Sequence, residues 1–186
     1  ASDPGEDLTW RALDVFRTAI PSWQTRFPTW GEYASTSVKS LLGHAFDNAM
    51  VLEAATFEHR VYLNRGGRFE ARPLPREAQF APGFGVAVAD FDGDGREDIF
   101  LAQNRFDLDL DSGRADAGTG VCLLGNGQGE LRALSPAESG IALMGQQRGV
   151  AVADYDRDGR PDVCVSQHNE TTCLLRNRSG APGLRV

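Results

Sequence analysis

The chain has 186 residues, 41% of them hydrophobic, and 26 acidic against 19 basic residues give a formal net charge of −7. That length suits one domain with a sizeable core. No basic cluster is present, which argues against nucleic acid or an anionic membrane surface as a partner, and no run of roughly 18 apolar residues is available to span a bilayer.

Residues 1–7 are polar and include Pro4 and Gly5, the composition of a frayed end. From Asp7 to Ile20, Trp10, Leu13, Phe16 and Ile20 recur at helical spacing and stop at Pro21, which predicts an amphipathic helix. Ser22 to Trp30 is an irregular aromatic stretch, with Trp23, Phe27, Pro28 and Trp30 read as packing rather than as a ligand platform. A second helix is predicted over 31–42, ended by Gly43 and burying Tyr33, Val38, Leu41 and Leu42. Residues 1–47 thus read as a helical segment expected to pack on an end or edge of a sheet region formed by the rest of the chain.

Residues 48–186 read as short strands in three sets, at about 48–80, 81–138 and 139–186. The first set is predicted at 49–55, 60–64 and 68–74, with Arg65-Gly66-Gly67 as a hairpin turn. The second is predicted at 86–89, 98–103, 120–124 and 130–134, the last pair turned by Asn126-Gly127 and Gly129. The third is predicted at 150–153, 162–167, 171–176 and 184–186. The 104–119 connection is long and holds Asp107, Asp109, Asp111 and Asp116, which could bind a further cation but lack a glycine register.

Within these sets one stretch occurs twice. Gly85–Gln103 and Gly149–Gln167 agree at 12 of 19 positions when shifted by 64 residues. Such self-similarity marks a repeat architecture. Four short strands per unit at this period is the arithmetic of a propeller blade, so the predicted fold is mainly β: a partial β-propeller of about three four-stranded blades with an N-terminal helical addition.

The chemistry lies inside each copy. Asp90, Asp92, Asp94 and Asp98 occupy positions 1, 3, 5 and 9 of a loop with Gly95 at position 6, and Asp154, Asp156, Asp158, Asp162 and Gly159 repeat the arrangement. Carboxylates so crowded repel one another unless a cation neutralises them. Their alternate spacing turns hard oxygen ligands toward one point, glycine permits the turn, and the backbone carbonyl of Arg96 or Arg160 can join the shell. Oxygen donors without thiolate or imidazole favour calcium over zinc or copper, and magnesium's small octahedral shell suits them less. Two Ca²⁺ are therefore expected, which would bring the formal charge to −3. An EF-hand is excluded: Leu101 and Val165 stand where its twelfth-position glutamate belongs, and the flanks read as strands.

These residues resemble the FG-GAP and VCBS repeat family, the calcium-loop propeller blades also found in integrin α chains. Phe84-Gly85 supplies the Phe-Gly, and Asp-x-Asp-x-Asp-Gly-x-x-Asp supplies the loop; Arg148 replaces the phenylalanine in the second copy, and no Gly-Ala-Pro follows either loop. Tyr62–Phe69 and Pro73-Leu74-Pro75 resemble the bacterial branch that carries a following ASPIC and UnbV segment, and Arg176-Asn177 with Leu184-Arg185-Val186 resembles its opening. The resemblance implies structural calcium and extracellular, periplasmic or envelope binding, such as adhesion to protein or glycan. The sequence given has no signal peptide, as an exported and trimmed chain would not.

Other candidates are thin. Cys122 and Cys173 read as equivalent third-strand positions, each followed by Leu-Leu, and Cys164 could pair with Cys173 across a hairpin. Cys164, His168 and Cys173 lack a fourth zinc ligand, and His44 and His59 stand alone. Asn169-Glu-Thr171 and Asn177-Arg-Ser179 match a glycosylation sequon, relevant only in a eukaryotic secretory setting. No nucleophile-elbow, zincin or phosphate-loop motif appears, so a non-enzymatic module is expected; the alternative is a scaffold portion of a larger propeller lyase or hydrolase. Three blades are fewer than a closed ring requires, so either the helices of residues 7–42 cap the open array or two copies associate and complete one another, and the homo-oligomer is the favoured expectation.

Overall fold

The computed structural model describes residues 8, 9, 11–106, 114–180 and 182. Two units form, 1–55 and 56–186. In the first, α1 (Leu13–Ala19), α2 (Trp23–Arg26), α3 (Trp30–Ala34) and α4 (Val38–Leu42) precede a 3₁₀ turn at Gly43–Asn48. The helix expected over 31–42 is two helices, because the residues between them turn their hydroxyls on the backbone. Ser35 Oγ donates to the Gly31 carbonyl at 2.9 Å and Thr36 Oγ1 to that of Glu32 at 2.6 Å, while Ser37 caps α4 by accepting from the Ser40 N–H. Leu13, Trp23, Phe27, Tyr33 and Leu41 form the core, and Phe27 meets Trp23 and Tyr33 edge-on with ring centroids 5.9 Å apart in each pair. Trp30 and Leu42, expected in that packing, are exposed; Trp10 lies outside the described residues.

The second unit is mainly β, with nine strands among its described residues, in three antiparallel sheets that do not close on one another there, as fits a partial propeller. The first sheet is β1 (Arg60–Asn64) with β2 (Phe69–Pro73). The second runs β3 (Gly83–Ala89), β4 (Asp98–Gln103), β5 (Val121–Gly125), β6 (Leu131–Ala133), and the third β7 (Gln147–Ala153), β8 (Asp162–Gln167), β9 (Glu170–Leu175). A short helix, α5 (Pro136–Ser139), leads out of β6. Among the described residues four strands per sheet are seen in the middle set. The strand expected at 49–55 is not formed: Met50, Val51 and Leu52 are exposed, and the run has no alternation that would bury one face. The strand expected at 184–186, and Asp107, Asp109 and Asp111, lie outside the described residues.

Blade stacking explains why β4 is an unbroken apolar run instead of an alternating one. Phe100 and Ala102 enter a core with Val163 and Val165 of β8, while Leu101 packs on its other face with Ala78, Val121 and Leu123. A strand covered on both faces has no polar side. Register also corrects the cysteine reading. Cys122 lies opposite Phe100, whereas Cys173 lies opposite Val165, the repeat-equivalent of Leu101, so the two are one residue out of step. Cys164 faces Leu174 and all three thiols are free. Cys164 and Cys173 therefore belong to opposite faces of their sheet, and neither a disulfide nor a zinc site forms between them.

Where the strands end, buried amides replace apolar contacts. The Gln103 side chain, 1% exposed, donates to the carbonyls of Ala78 at 3.1 Å, Ala81 at 3.3 Å and Glu77 at 3.4 Å. Gln147 Oε1 accepts from the Gln103 N–H at 3.3 Å, and its Nε2 donates to the Leu143 carbonyl at 2.9 Å. These bonds tie each sheet to the connection that precedes it. Removing a buried donor leaves its acceptors desolvated and unpaired, at about 1–3 kcal/mol per group. Gln103→Ala should therefore lower stability in urea unfolding by about 2–3 kcal/mol. The exposed Gln128→Ala should change it by less than about 0.5 kcal/mol, and equal effects would show that the amide network is not what holds the sheets.

Candidate metal centre

Each aspartate loop joins the first strand of a sheet to the second, and local hydrogen bonding dictates its shape. Asp90 Oδ1 accepts from the N–H groups of Gly93 at 2.7 Å and Asp94 at 3.0 Å, and Oδ2 from Gly95 at 2.8 Å. Asp154 Oδ2 accepts from Gly159 at 3.0 Å. These are side-chain-to-backbone turns of the kind aspartate favours. They need left-handed backbone at the glycines: φ is +82° at Gly95 and +89° at Gly159. Gly93 is left-handed too, at +78°, but the second loop puts Arg157 there at +63°, a conformation strained for any side chain.

Position 9 has a distinct task. Asp98, with no exposed surface, accepts from the Phe91 N–H at 2.8 Å through Oδ2 and from the Gly125 N–H at 2.8 Å through Oδ1. Asp162 repeats this with Tyr155 at 3.0 Å and Asn177 at 2.8 Å. Each therefore pins its own loop onward, Asp98 to the end of β5 and Asp162 to the turn just after β9. Burial raises the pKa of Asp98 above the usual aspartate value, against the N–H groups of Gly125 and Phe91, which lower it.

The structure gathers three of the four expected carboxylates in each loop. Asp90, Asp92 and Asp98 bring one oxygen each within 4.8 Å of the others, and so do Asp154, Asp156 and Asp162. Asp94 and Asp158 turn away onto their own loops. Asp94 Oδ1 accepts from the Arg96 N–H at 2.9 Å, and its Oδ2 lies 3.2 Å from that residue's guanidinium. Asp158 pairs with Arg160 at 2.9 Å and lies 3.7 Å from Arg176. Arg176 is also ion-paired to Asp156, so the second cluster carries an internal cation that the first lacks among the described residues. The donors are all hard oxygens, which fits a calcium-type ion and no soft metal. Arg96 and Arg160, expected to offer only their carbonyls, also contribute guanidinium partners to the fifth-position aspartates.

Two residues that sequence reasoning treated as incidental matter here. Arg148, which replaces the expected phenylalanine, sits at a register shift equivalent to that at Phe84 and lays its guanidinium 4.1 Å from the Phe84 ring centroid. Between them Gly85 must stay bare, since a Cβ there would fall 2.8 Å from Val150 and 2.9 Å from the Arg148 carbonyl. Asn177, noted only as part of a sequon, carries a bond between the loops. The recurrence of Asn64, Asn126 and Asn177 at or just after the end of a strand was the available signal. Each side-chain oxygen accepts a backbone N–H two residues on, at 3.1, 2.8 and 3.1 Å.

A family model described as FG-GAP-like repeat matches residues 55–101 and 107–165. Each match begins before the outer strands of one sheet and ends within the second strand of the next, so each contains one aspartate loop. No curated protein matches the chain.

The geometry separates anchor from ligand. In chelator, Asp98→Ala should cost about 3 kcal/mol in urea unfolding, because two buried N–H donors lose a charged acceptor. Asp92→Ala should cost less than about 1 kcal/mol under the same conditions, since it removes only one loop hydrogen bond, from the Asp94 N–H at 3.1 Å. Equal losses would mean that the anchoring role is misassigned.

Proposed function

This chain belongs to the FG-GAP-like repeat family, and on that footing we propose that it is a calcium-binding propeller-type module that serves recognition outside the cytoplasm. One observation carries the reading: two clusters of three aspartates stand at the same register in consecutive sheets, each on a turn that brings carboxylate oxygens within 4.8 Å. Calcium held by Asp90, Asp92 and Asp98, and by Asp154, Asp156 and Asp162, would offset the mutual repulsion of these groups. The carbonyls of Arg96 and Arg160 are within the same loops and would add to the shells, as would Asp94 and Asp158 on leaving their arginine partners. Its role is structural, to stiffen the first-to-second-strand connection. Sites of extracellular modules bind at about 0.1–1 mM, a range that suits an exported or envelope protein better than cytosol. The ligand class is a protein or a glycan, met by loops on a rigid sheet scaffold. No helix among the described residues is long and apolar enough to cross a membrane.

The reading is non-catalytic, and the thiol chemistry supports it. A cavity of about 720 Å³ lies between the second and third sheets, lined by Phe91, Phe100, Leu124, Val163 and Leu175, with Cys122 in its wall. Burial, with the charges of Asp98 and Asp92, pushes the Cys122 thiol up to about 12, so it stays protonated and is a poor nucleophile. At pH 8, iodoacetamide should leave Cys122 unmodified in the native chain and label it on unfolding, while the half-buried Cys164 and Cys173 react first. Rapid labelling of native Cys122 would reopen covalent chemistry in that cavity.

Calcium is tested through stability. At roughly 100-fold excess over the dissociation constant a ligand stabilises by about 2.7 kcal/mol per site. Adding calcium should raise Tm, EGTA should reverse it, and Asp92→Ala and Asp156→Ala should each remove one equivalent in a calorimetric titration. A Tm indifferent to EGTA would end the structural role.

A further inference from the structure

We infer that the turn after β9 couples the two aspartate loops, with Asn177 as the positioning residue that joins them; this rests on the calcium reading above. The backbone N–H of Asn177 donates to Asp162 Oδ1 at 2.8 Å, and Asp162 is the buried member of the second carboxylate cluster. The side-chain Nδ2 of the same residue donates to the Phe91 carbonyl at 2.7 Å, across a sequence separation of 86. Phe91 stands between Asp90 and Asp92 of the first cluster, and its own N–H is bonded to Asp98. One residue therefore touches the scaffold of both clusters.

The amide can point only one way. Its Oδ1 accepts from the N–H groups of Ser179 at 3.1 Å and Gly180 at 3.3 Å, and a flipped amide would set two oxygens face to face at Phe91. Gly180 closes the contact: a Cβ there would fall 2.5 Å from the Phe91 carbonyl oxygen. The turn is held to the second loop at further points, since Arg160 Nε donates to the Gly180 carbonyl and Arg176 is paired with Asp156. At the corresponding place in the second sheet, Gly125 makes the bond to Asp98 and has no side chain to reach onward. The link is thus specific to this pair of loops.

A cation that gathers Asp154, Asp156 and Asp162 fixes Asp162, through it the backbone of Asn177, and through the amide the segment that carries Asp90 and Asp92. Filling the second loop therefore favours filling the first, and the effect is reciprocal because coupling is a property of the pair.

The test is calorimetric titration of the whole chain with calcium chloride. Asp156→Ala reports the first loop alone, Asp92→Ala the second loop alone, and the wild type both together. The first loop should bind about fivefold or more weakly alone than with the second loop filled. Asn177→Ala, which keeps the N–H to Asp162, should abolish that ratio when placed in all three backgrounds. A merely structural asparagine would lower Tm and leave the ratio intact, and that result overturns its role. Should Asn177→Ala fail to fold, Gly180→Ala strains the same contact from the other side and should also reduce the ratio. Should neither fold, the comparison of wild type with the single-loop variants still decides the coupling. Two independent sites with unchanged affinities would refute the inference and leave the calcium reading standing; no calcium binding in the wild type would refute both.

Discussion

A buried carboxylate that accepts two backbone N–H groups is the constraint on which this architecture rests. Asp98 and Asp162 each lie at the start of a second strand, with one oxygen on the loop before it and the other at or just after the end of the third strand. A buried charge is costly unless its hydrogen-bonding capacity is met. Here the demand is met by donors from two separate segments, so the anchor forms only when loop, second strand and third strand are all in place. The same residue then presents its carboxylate to the cluster. Ligand geometry and strand pairing are thus set by one side chain, and the loop cannot be rearranged without disturbing the sheet.

The anchors could not act without the stacking that buries them. The second strands, β4 and β8, are the most buried of their sheets, and the β4 side chains fill cores on both faces. Polar strand ends in such a stack have to be satisfied internally. Gln103 and Gln147 do this with their amides, and Asn104 does it at φ +86°, its Nδ2 on the Gly118 carbonyl at 2.6 Å and its Oδ1 on the Gly118 N–H at 2.9 Å. Bare backbone is required where one sheet closely approaches the next, which is why Gly85 follows Phe84 where β3 nears β7. Apolar faces supply the adhesion between sheets, and amides set their spacing.

This division accounts for what the sequence alone reveals. The bounds of β4 and β8 are legible residue for residue, because an aspartate anchor opens each and a glutamine closes it. The repeat, the aspartate spacing and the glycine positions are local, and local signals survive in sequence. The split of the 31–42 helix was less visible, since Ser35, Thr36 and Ser37 are compatible with a helix until their hydroxyls choose backbone carbonyls instead. The exposed run at 49–52 looked like a strand from composition, but a strand needs a neighbour and sequence does not state where one lies. Cys122 and Cys173 looked equivalent because each precedes two leucines, whereas register follows hydrogen bonding. The cluster's three-carboxylate composition was also hidden: nothing in the spacing tells that Asp94 and Asp158 turn to the arginines two residues on.

The two loops, near-identical in sequence, are therefore not equivalent sites. The first has glycine at both left-handed positions and no ion pair from outside the loop on its carboxylate cluster among the described residues. The second carries Arg157 in left-handed backbone and Arg176 on Asp156. A guanidinium already seated on a carboxylate must be displaced or shared before a cation can use that oxygen, so the second cluster is neutralised in part by the chain itself. That arrangement ties the second loop to the turn after β9 through an ion pair on one of its three clustered carboxylates. The first loop depends on its turns, on Asp98 and on the Asn177 amide for the same service. The two repeats thus keep the same carboxylate register while differing in charge balance, because only the second has an arginine from outside its loop on the cluster among the described residues.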